Sequence, residues 1–284
     1  MKKLRIGLAQ ILVEGGEPAR NLGRALEAII DSKEKSCDLV VLPETLDLGW
    51  THPSAQNEAE VIPGPRSNFL CEAARAHNIW VCAGLTELKD NKVYNTAVLI
   101  NKAGTIVLQY RKINILEVAL DYYETGNSLS TVDTELGTIG LNICSDNYPD
   151  SLHLSHSLSR MGAQLILSPS SWTVDYSISE NDDPYEEKWI KPYKLISSLY
   201  ENAIVGVTSV GYIVGGPYEG KKSVGCSLVA QGGQLVGEAR FNEFCGEVNA
   251  VDLSLPTQKY KGTQFGKMLK SKNYKFDGLD YLVK

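Results

Sequence analysis

The chain has 284 residues, of which 43% are hydrophobic, and a formal net charge of −6. It can bury a large core, and it lacks the dense basic stretch that would hold nucleic acid or an anionic membrane surface. Its apolar runs, such as Leu39-Val40-Val41-Leu42, fall well short of the ~20 residues a membrane span needs, so a cytoplasmic protein with a small-molecule partner is expected.

The opening MKKLRIGLAQ places two lysines before apolar residues, as a signal peptide does. Arg5 and Gln10 interrupt the run and no A-x-A pattern follows, so it reads as a first strand. Ile6 to Gln10 leads into a helix with Leu22, Ala25, Leu26, Ile29 and Ile30 on one face. The stretch from Asp38 to Glu44 is a second strand. A helix with Phe69, Leu70, Ala73 and Ala74 precedes a strand over 79–85. A hairpin then pairs 96–100 with 105–108 through a turn at Gly104.

The second half repeats this order. Ile139 to Cys144 is a strand, and Asp150 is placed to cap a helix carrying Leu154, Leu158 and Met161, with Gly162 as its stop. Gln164 to Pro169 is the matching strand. A helix with Leu195, Ile196, Leu199 and Ala203 leads to a strand over 204–210, and a hairpin turns at Gly232-Gly233. Each half reads strand, helix, strand, helix, strand, hairpin. The expected fold is α/β: a four-layer αββα sandwich of two mixed β-sheets with internal pseudo-two-fold symmetry. Doubly wound and barrel folds use the same units. Residues 1–255 are expected to form one domain. The lysine-rich, aromatic tail over 256–284, with Lys259, Tyr260, Lys261, Phe265, Lys267, Tyr274, Phe276 and Tyr281, packs either on a partner subunit or on its own surface.

The six cysteines, 37, 71, 82, 144, 226 and 245, are scattered and include no C-x-x-C pair. Reduced thiols are expected, each ordinarily a small buried hydrophobe. Cys144 stands apart because it ends an apolar strand and precedes Ser145-Asp146-Asn147-Tyr148-Pro149-Asp150. A thiol at a strand end has backbone N–H groups nearby that can hold an oxyanion. Glu44 follows Val40-Val41-Leu42-Pro43, at the edge of a buried strand, where burial makes a carboxylate a usable base. Lys112 follows Gln109-Tyr110-Arg111 and can supply a fixed ammonium. Alone, each also suits a structural or surface role; together they make a nucleophile, a base and a cation. Of the four histidines, 52, 77, 153 and 156, only His153 and His156 lie near Cys144 in sequence, and they read as helix-surface residues. No H-E-x-x-H, no cysteine/histidine cluster with ligand spacing and no dinucleotide or Walker glycine motif is present.

Leu42-Pro43-Glu44-Thr45, Tyr110-Arg111-Lys112 and Gly140-Leu141-Asn142-Ile143-Cys144 occur in an order and spacing that resembles the nitrilase-like carbon–nitrogen hydrolase superfamily. Asn95 in Tyr94-Asn95-Thr96-Ala97, Gly126, Glu201-Asn202-Ala203 and Gly225-Cys226-Ser227 add to the likeness, which runs from about Leu4 to Leu253. The resemblance implies an αββα sandwich that forms homodimers or larger assemblies and uses no metal and no organic cofactor. It implies Glu44 as general base, Lys112 as oxyanion-stabilising cation and Cys144 as nucleophile. Many members carry a further glutamate between the lysine and the cysteine; Glu117 is its candidate here, with Asp121 and Glu124 as rivals. Nitrilases proper usually show Cys-Trp-Glu, whereas this chain has Cys144-Ser145-Asp146, and Asn147-Tyr148-Pro149-Asp150 is similar to a stretch of aliphatic amidases. Ser209 stands where an asparagine is frequent.

The reading that follows is hydrolysis of a small amide or carbamoyl compound through a thioester on Cys144, releasing ammonia or amine. The oxyanion is expected on Lys112 and the Ser145 N–H, and Ser170, Ser171 and Trp172 are expected to border the pocket. The acidic loop from Tyr176 to Lys191 is expected near the mouth, with the Gly215-Gly216-Pro217-Tyr218 turn approaching it. Nitrile hydrolysis and acyl transfer to an amine use the same three residues; a non-catalytic binding protein of this fold has no need of all three.

Overall fold

Along the first strands, alternate side chains enter two different apolar cores. Leu4, Ile6, Leu8, Leu39, Val41, Trp80, Cys82, Ala97 and Leu99 belong to one core. Ala9, Val40, Leu42, Val81, Ala83, Val98 and Ile100 belong to the other. A sheet apolar on both faces must be covered on both faces. The computed structural model, which describes residues 2–182, 185–257, 261–262 and 265–274, shows what covers them.

The first half forms β1 (Lys2–Gln10), α1 (Pro18–Glu34), β2 (Leu39–Val41), the one-turn α2 (Ala55–Glu58), α3 (Pro65–His77), β3 (Trp80–Lys89), β4 (Lys92–Ile100) and β5 (Ile106–Arg111). The second half forms β6 (Thr131–Thr134), β7 (Gly137–Leu141), α4 (His153–Arg160), β8 (Leu165–Pro169), β9 (Thr173–Val174), α5 (Lys191–Tyr200), β10 (Ala203–Val207), β11 (Val210–Tyr212), β12 (Lys222–Val224), β13 (Leu228–Gln231) and β14 (Gln234–Glu238). β15 (Glu247–Leu255) returns to pair with β1, and α6 (Phe265–Ser271) follows.

One six-stranded sheet has the order β15-β1-β2-β3-β4-β5, and the other, from its opposite edge, β6-β7-β8-β10-β13-β14. In the first, β1, β2 and β3 are parallel and β4 and β5 antiparallel. In the second, β7, β8 and β10 are parallel and β13 and β14 antiparallel. An antiparallel strand, β15 or β6, closes the remaining edge of each. Strand order and direction thus repeat between the halves. α1 and α3 bury Ala25, Ala28, Ile29, Leu70, Ala73 and Ala74 against the outer face of the first sheet. α4 and α5 bury Leu158, Tyr193, Ile196 and Leu199 against the second. The result is the expected αββα sandwich.

Several local expectations change. The second strand is confined to Leu39–Val41 because the chain turns after it: the Glu44 N–H donates to the Ser170 carbonyl of the other half at 3.1 Å. Asp150 does not cap α4; it lies in a 3-10 turn, Pro149–Ser151, and the helix starts at His153. His156 is buried, its ring within hydrogen-bond distance of the Tyr200 and Tyr274 hydroxyls at 2.7 and 2.9 Å. Burial, with Arg160 and His153 nearby, lowers its pKa to about 4. A third, three-stranded sheet of β11, β12 and β9 was not anticipated; β9 is only two residues long and has no readable period.

Part of the tail packs on its own chain. Phe265 lies under the Arg160 guanidinium and against Tyr200, and the Lys272 ammonium donates to the Leu199 carbonyl at 2.8 Å. Lys259, Tyr260, Phe276 and Tyr281 lie outside the described residues.

Gly84 lets β3 pass close to the turn after β2. A Cβ there would sit 2.5 Å from the Glu44 Cα and 2.7 Å from the Thr45 nitrogen. Backbone cannot yield as a flexible side chain can, so Gly84→Ala is expected to cost about 1–3 kcal/mol of stability. Denaturant titration checks this, and an unchanged midpoint would show that the strands have room to part.

Candidate active site

Cys144 follows β7 and opens a 3-10 turn, Cys144–Asn147, with φ at +46°, a left-handed conformation that a side chain rarely takes. The turn is pinned from several directions. Asp146 accepts hydrogen bonds from the Ile143 N–H, the Asn114 N–H and the Tyr110 hydroxyl, each at 2.8 Å. Asn142 and Asn147 exchange amide hydrogen bonds at 2.7 and 3.0 Å. The Cys144 N–H donates to the Ser168 hydroxyl at 3.1 Å. The loop after β5 is clamped to the same turn by Asn114 donating to the Ser145 carbonyl and the Ser145 hydroxyl donating to the Asn114 carbonyl.

Glu44 and Lys112 come from the first sheet. The Lys112 ammonium donates to Glu44 Oε1 at 2.7 Å, and their side chains are 2% and 0% exposed. Asn95 on β4 donates to the same oxygen at 2.5 Å, and its carbonyl accepts the Lys112 N–H at 2.9 Å. Glu44 Oε2 is buried and, apart from the Cys144 thiol that faces this carboxylate, has no hydrogen-bond partner among the described residues. Beside the pair, Arg111 grips buried Glu87 through two hydrogen bonds, at 2.6 and 2.7 Å, fixing the end of β5.

The electrostatics set the protonation states. Burial and then the Glu44 charge push the Cys144 thiol up to about 12, against the Lys112 ammonium and the Ser171 N–H, which favour thiolate. Burial alone would lower the Lys112 pKa, but Glu44, Cys144 and Asp146 around it raise it on balance. Burial raises Asp146, opposed by Lys112 and its three donors. The site at neutral pH holds a neutral thiol beside a firm cation.

Two spaces open beside these residues. One, about 270 Å³, has Cys144, Trp50, Tyr148, Trp189 and Tyr218 in its wall, and Asp175, Lys188 and Lys221 as its charged groups. The other, about 20 Å³, has Glu44, His52, Ser209 and Ile213 in its wall. Trp50 and Ser171 border both. A larger cavity of about 320 Å³, by α1 and β15, contains none of the three reactive residues.

The structure brings Glu44, Lys112, Cys144 and Ser145 together. It does not bring Glu117 to them. Glu117 is exposed at the start of a 3-10 turn whose neighbours Ile115, Leu116 and Val118 pack inward, and it makes no hydrogen bond to Lys112. Asp121 is exposed too, and Glu124 pairs with Lys92. The second buried acid near Lys112 is Asp146. Ser170 and Trp172 are fully buried beneath the pocket rather than in its wall. The Ser170 hydroxyl donates to the Ser168 carbonyl, and Trp172 stacks under Trp189 with ring centroids 4.7 Å apart. Ser171 between them faces the pocket. Ile178, Lys188 and Trp189 place parts of the acidic loop at the mouth, while Asp183 and Pro184 lie outside the described residues. Trp50 and Tyr148 were missed as wall residues; their aromatic type beside Glu44 and Cys144 was the available signal.

A buried thiol, carboxylate and ammonium at the strand ends of two packed sheets define the class, a sandwich protein with a cysteine-centred acid–base site. The chain belongs to the carbon-nitrogen hydrolase family, whose model matches residues 5–190. It is 27% identical over 185 residues to omega-amidase NIT2 of Xenopus tropicalis, a match covering 61% of this chain and 66% of that protein, just under two thirds of its length. It is 28% identical over 220 residues to a nitrilase of Pyrococcus abyssi, covering 75% of this chain and 76% of that one. Its fold is similar to that of an amidase from Nesterenkonia sp. AN1, solved as a double mutant in complex with acrylamide. The TM-score is 0.74 at 18% identity, over 90% of this chain and 92% of the other.

The raised thiol pKa is testable directly. The absorbance difference near 240 nm between wild type and Cys144→Ala is expected to show no thiolate at pH 7, with ionisation only as pH approaches about 12. Full ionisation near pH 7 would mean a standing thiolate–lysine pair instead.

Proposed function

We propose that the protein hydrolyses the C–N bond of a small amide through a thioester on Cys144. The observation that carries this is the buried cluster itself: a thiol beside a carboxylate that has one oxygen held by Lys112 and Asn95 and the other without a hydrogen-bond partner among the described residues apart from that thiol. A structural ion pair has no need of a buried oxygen left to a thiol alone, which is costly to keep.

In this reading Glu44 takes the thiol proton as sulfur attacks the carbonyl carbon, since a preformed thiolate is disfavoured beside it. The tetrahedral oxyanion is held by the Lys112 ammonium and the backbone N–H of Ser145. Losing one such donor typically costs about 3–4 kcal/mol of barrier. Protonated Glu44 gives its proton to the departing nitrogen as the C–N bond breaks, leaving the thioester. Water then attacks, with Glu44 again taking a proton, and the acid leaves with the thiol restored. Asp146 is a positioning residue that holds the Cys144 turn. The acyl part occupies the aromatic-walled space, where Trp50 and Tyr218 meet edge to face with centroids 5.0 Å apart.

An ammonia-release screen over aliphatic amides, ω-amides, N-carbamoyl amino acids and nitriles tests the reading. Cys144→Ala is expected to abolish turnover, and Glu44→Gln nearly to do so. Lys112→Ala is expected to lose about 100- to 1,000-fold, mainly in kcat. Undiminished turnover by purified Cys144→Ala would overturn the scheme.

The same reading includes a reducing, cytoplasmic setting, supported by six scattered cysteines of which none forms a disulfide. It also includes residues 1–255 as the hydrolase domain and a homodimer or larger homo-oligomer, as the family resemblance implies. Sedimentation velocity is expected to give at least twice the 31.1 kDa chain mass; a monomer at micromolar concentration would remove the oligomer from the reading.

A further inference from the structure

The buried tyrosines around the site direct their hydroxyls to the protein. Tyr110 donates to Asp146 at 2.8 Å, Tyr185 donates to the Trp172 carbonyl at 3.2 Å, and Tyr123 accepts the Thr51 N–H at 3.1 Å. Tyr148 differs. It stands, partly buried, in the wall of the space of about 270 Å³ that it shares with Cys144, and its hydroxyl makes no hydrogen bond among the described residues.

The rest of this side chain is held firmly. The Tyr148 N–H donates to the Ser145 carbonyl at 3.1 Å, closing the turn that Cys144 opens, and Pro149 follows with its fixed φ. Trp189 meets the ring edge to face with centroids 5.8 Å apart, and the Lys188 ammonium lies 5.7 Å from the ring centroid. Trp189 is itself stacked on fully buried Trp172. Tyrosine hydroxyls in such confined places ordinarily find a partner, and here the open side is the reaction space.

The surroundings keep this hydroxyl protonated. Burial pushes the phenol well above its ordinary range, and Cys144, Tyr218, Glu44 and Asp150 push the same way. It is therefore a neutral O–H donor at neutral pH, within electrostatic reach of both the nucleophile and the base. An amide offers such a donor one good acceptor, its carbonyl oxygen, because the nitrogen lone pair is delocalised into the carbonyl.

We propose that Tyr148 is a further catalytic residue, whose hydroxyl donates a hydrogen bond to the substrate carbonyl oxygen as that oxygen becomes the oxyanion. This rests on the amidase reading above and adds a third donor to Lys112 and the Ser145 N–H. The phenol keeps its proton throughout. Sulfur adds to the carbonyl carbon, the C=O π pair moves onto oxygen, and the thiol proton goes to Glu44.

Tyr148→Phe removes the hydroxyl and keeps the ring. Propionamide, succinamic acid and phenylacetamide serve as substrates, with the acid product quantified by mass spectrometry and Cys144→Ala as the blank. kcat is expected to fall about 100-fold, as for other lost oxyanion donors, with KM changed less than about threefold. The second readout is alkylation of Cys144 by iodoacetamide, followed on the peptide that carries it. That reaction displaces iodide from a saturated carbon and develops no oxyanion, so its rate is expected to stay within about twofold of wild type. A kcat within about threefold of wild type would overturn the proposal. So would an alkylation rate that falls in step with kcat, since the residue would then only be holding the thiol's turn. If the wild type hydrolyses none of the three amides and no acyl adduct forms on Cys144, the amidase reading itself fails, and the third donor with it.

Discussion

The ion pair between Lys112 and Glu44 is the constraint on which the site depends. Two opposite charges sit 2.7 Å apart with almost no exposure, and taking each from water costs several kcal/mol. Neither charge is tolerable there without the other, so Glu44 and Lys112, 68 residues apart in sequence and just past the ends of β2 and β5, bind those two strand ends to one geometry. Asn95 on β4 shares the same carboxylate oxygen and extends the constraint to a third strand. The sulfur then arrives from the opposite sheet. Asp146 ties its turn to Tyr110 on β5, so the two sheets are joined across the seam by hydrogen bonds as well as by apolar contact.

The repeat of the fold explains where this seam lies. Pro43-Glu44 and Pro169-Ser170 stand at the ends of matching strands, β2 and β8, and the two meet where the Glu44 N–H donates to the Ser170 carbonyl. The halves differ at this meeting point. One contributes an ionised side chain, while the other turns its serine hydroxyl back onto its own backbone. A symmetric scaffold thus carries an asymmetric site, with a tight acid-lined space on one side and a broad aromatic one on the other.

Much of this was legible in the sequence because strand periodicity survives where a strand is buried on both faces and bounded by turns. Leu39-Val40-Val41-Leu42 and Ile139 to Cys144 are such cases, and both lead straight to reactive residues. What was not legible depends on partners distant in the chain. Asp146 looks like any acid in a turn until Tyr110, 36 residues earlier, is seen to donate to it. The choice of Glu117 failed because a short 3-10 turn decides which way each residue faces, and three apolar neighbours took the inward positions. Of Ser170, Ser171 and Trp172, all expected at the pocket, only Ser171 reaches its wall, because the pleat ends at Pro169 and sequence alone no longer fixes which side each residue faces. His156 was read as a surface residue because its burial is completed by Tyr200 and by Tyr274, 118 residues away.

α5 is held at both ends by unrelated devices. At its start it continues from the π-helical turn Glu186–Ile190, whose Trp189 walls the aromatic space; at its finish Lys272 seals its last carbonyls. The helix therefore works as a strut between α6 and the aromatic space beside Cys144. Loss of the Lys272 contact would loosen one end of a beam whose other end walls the aromatic space.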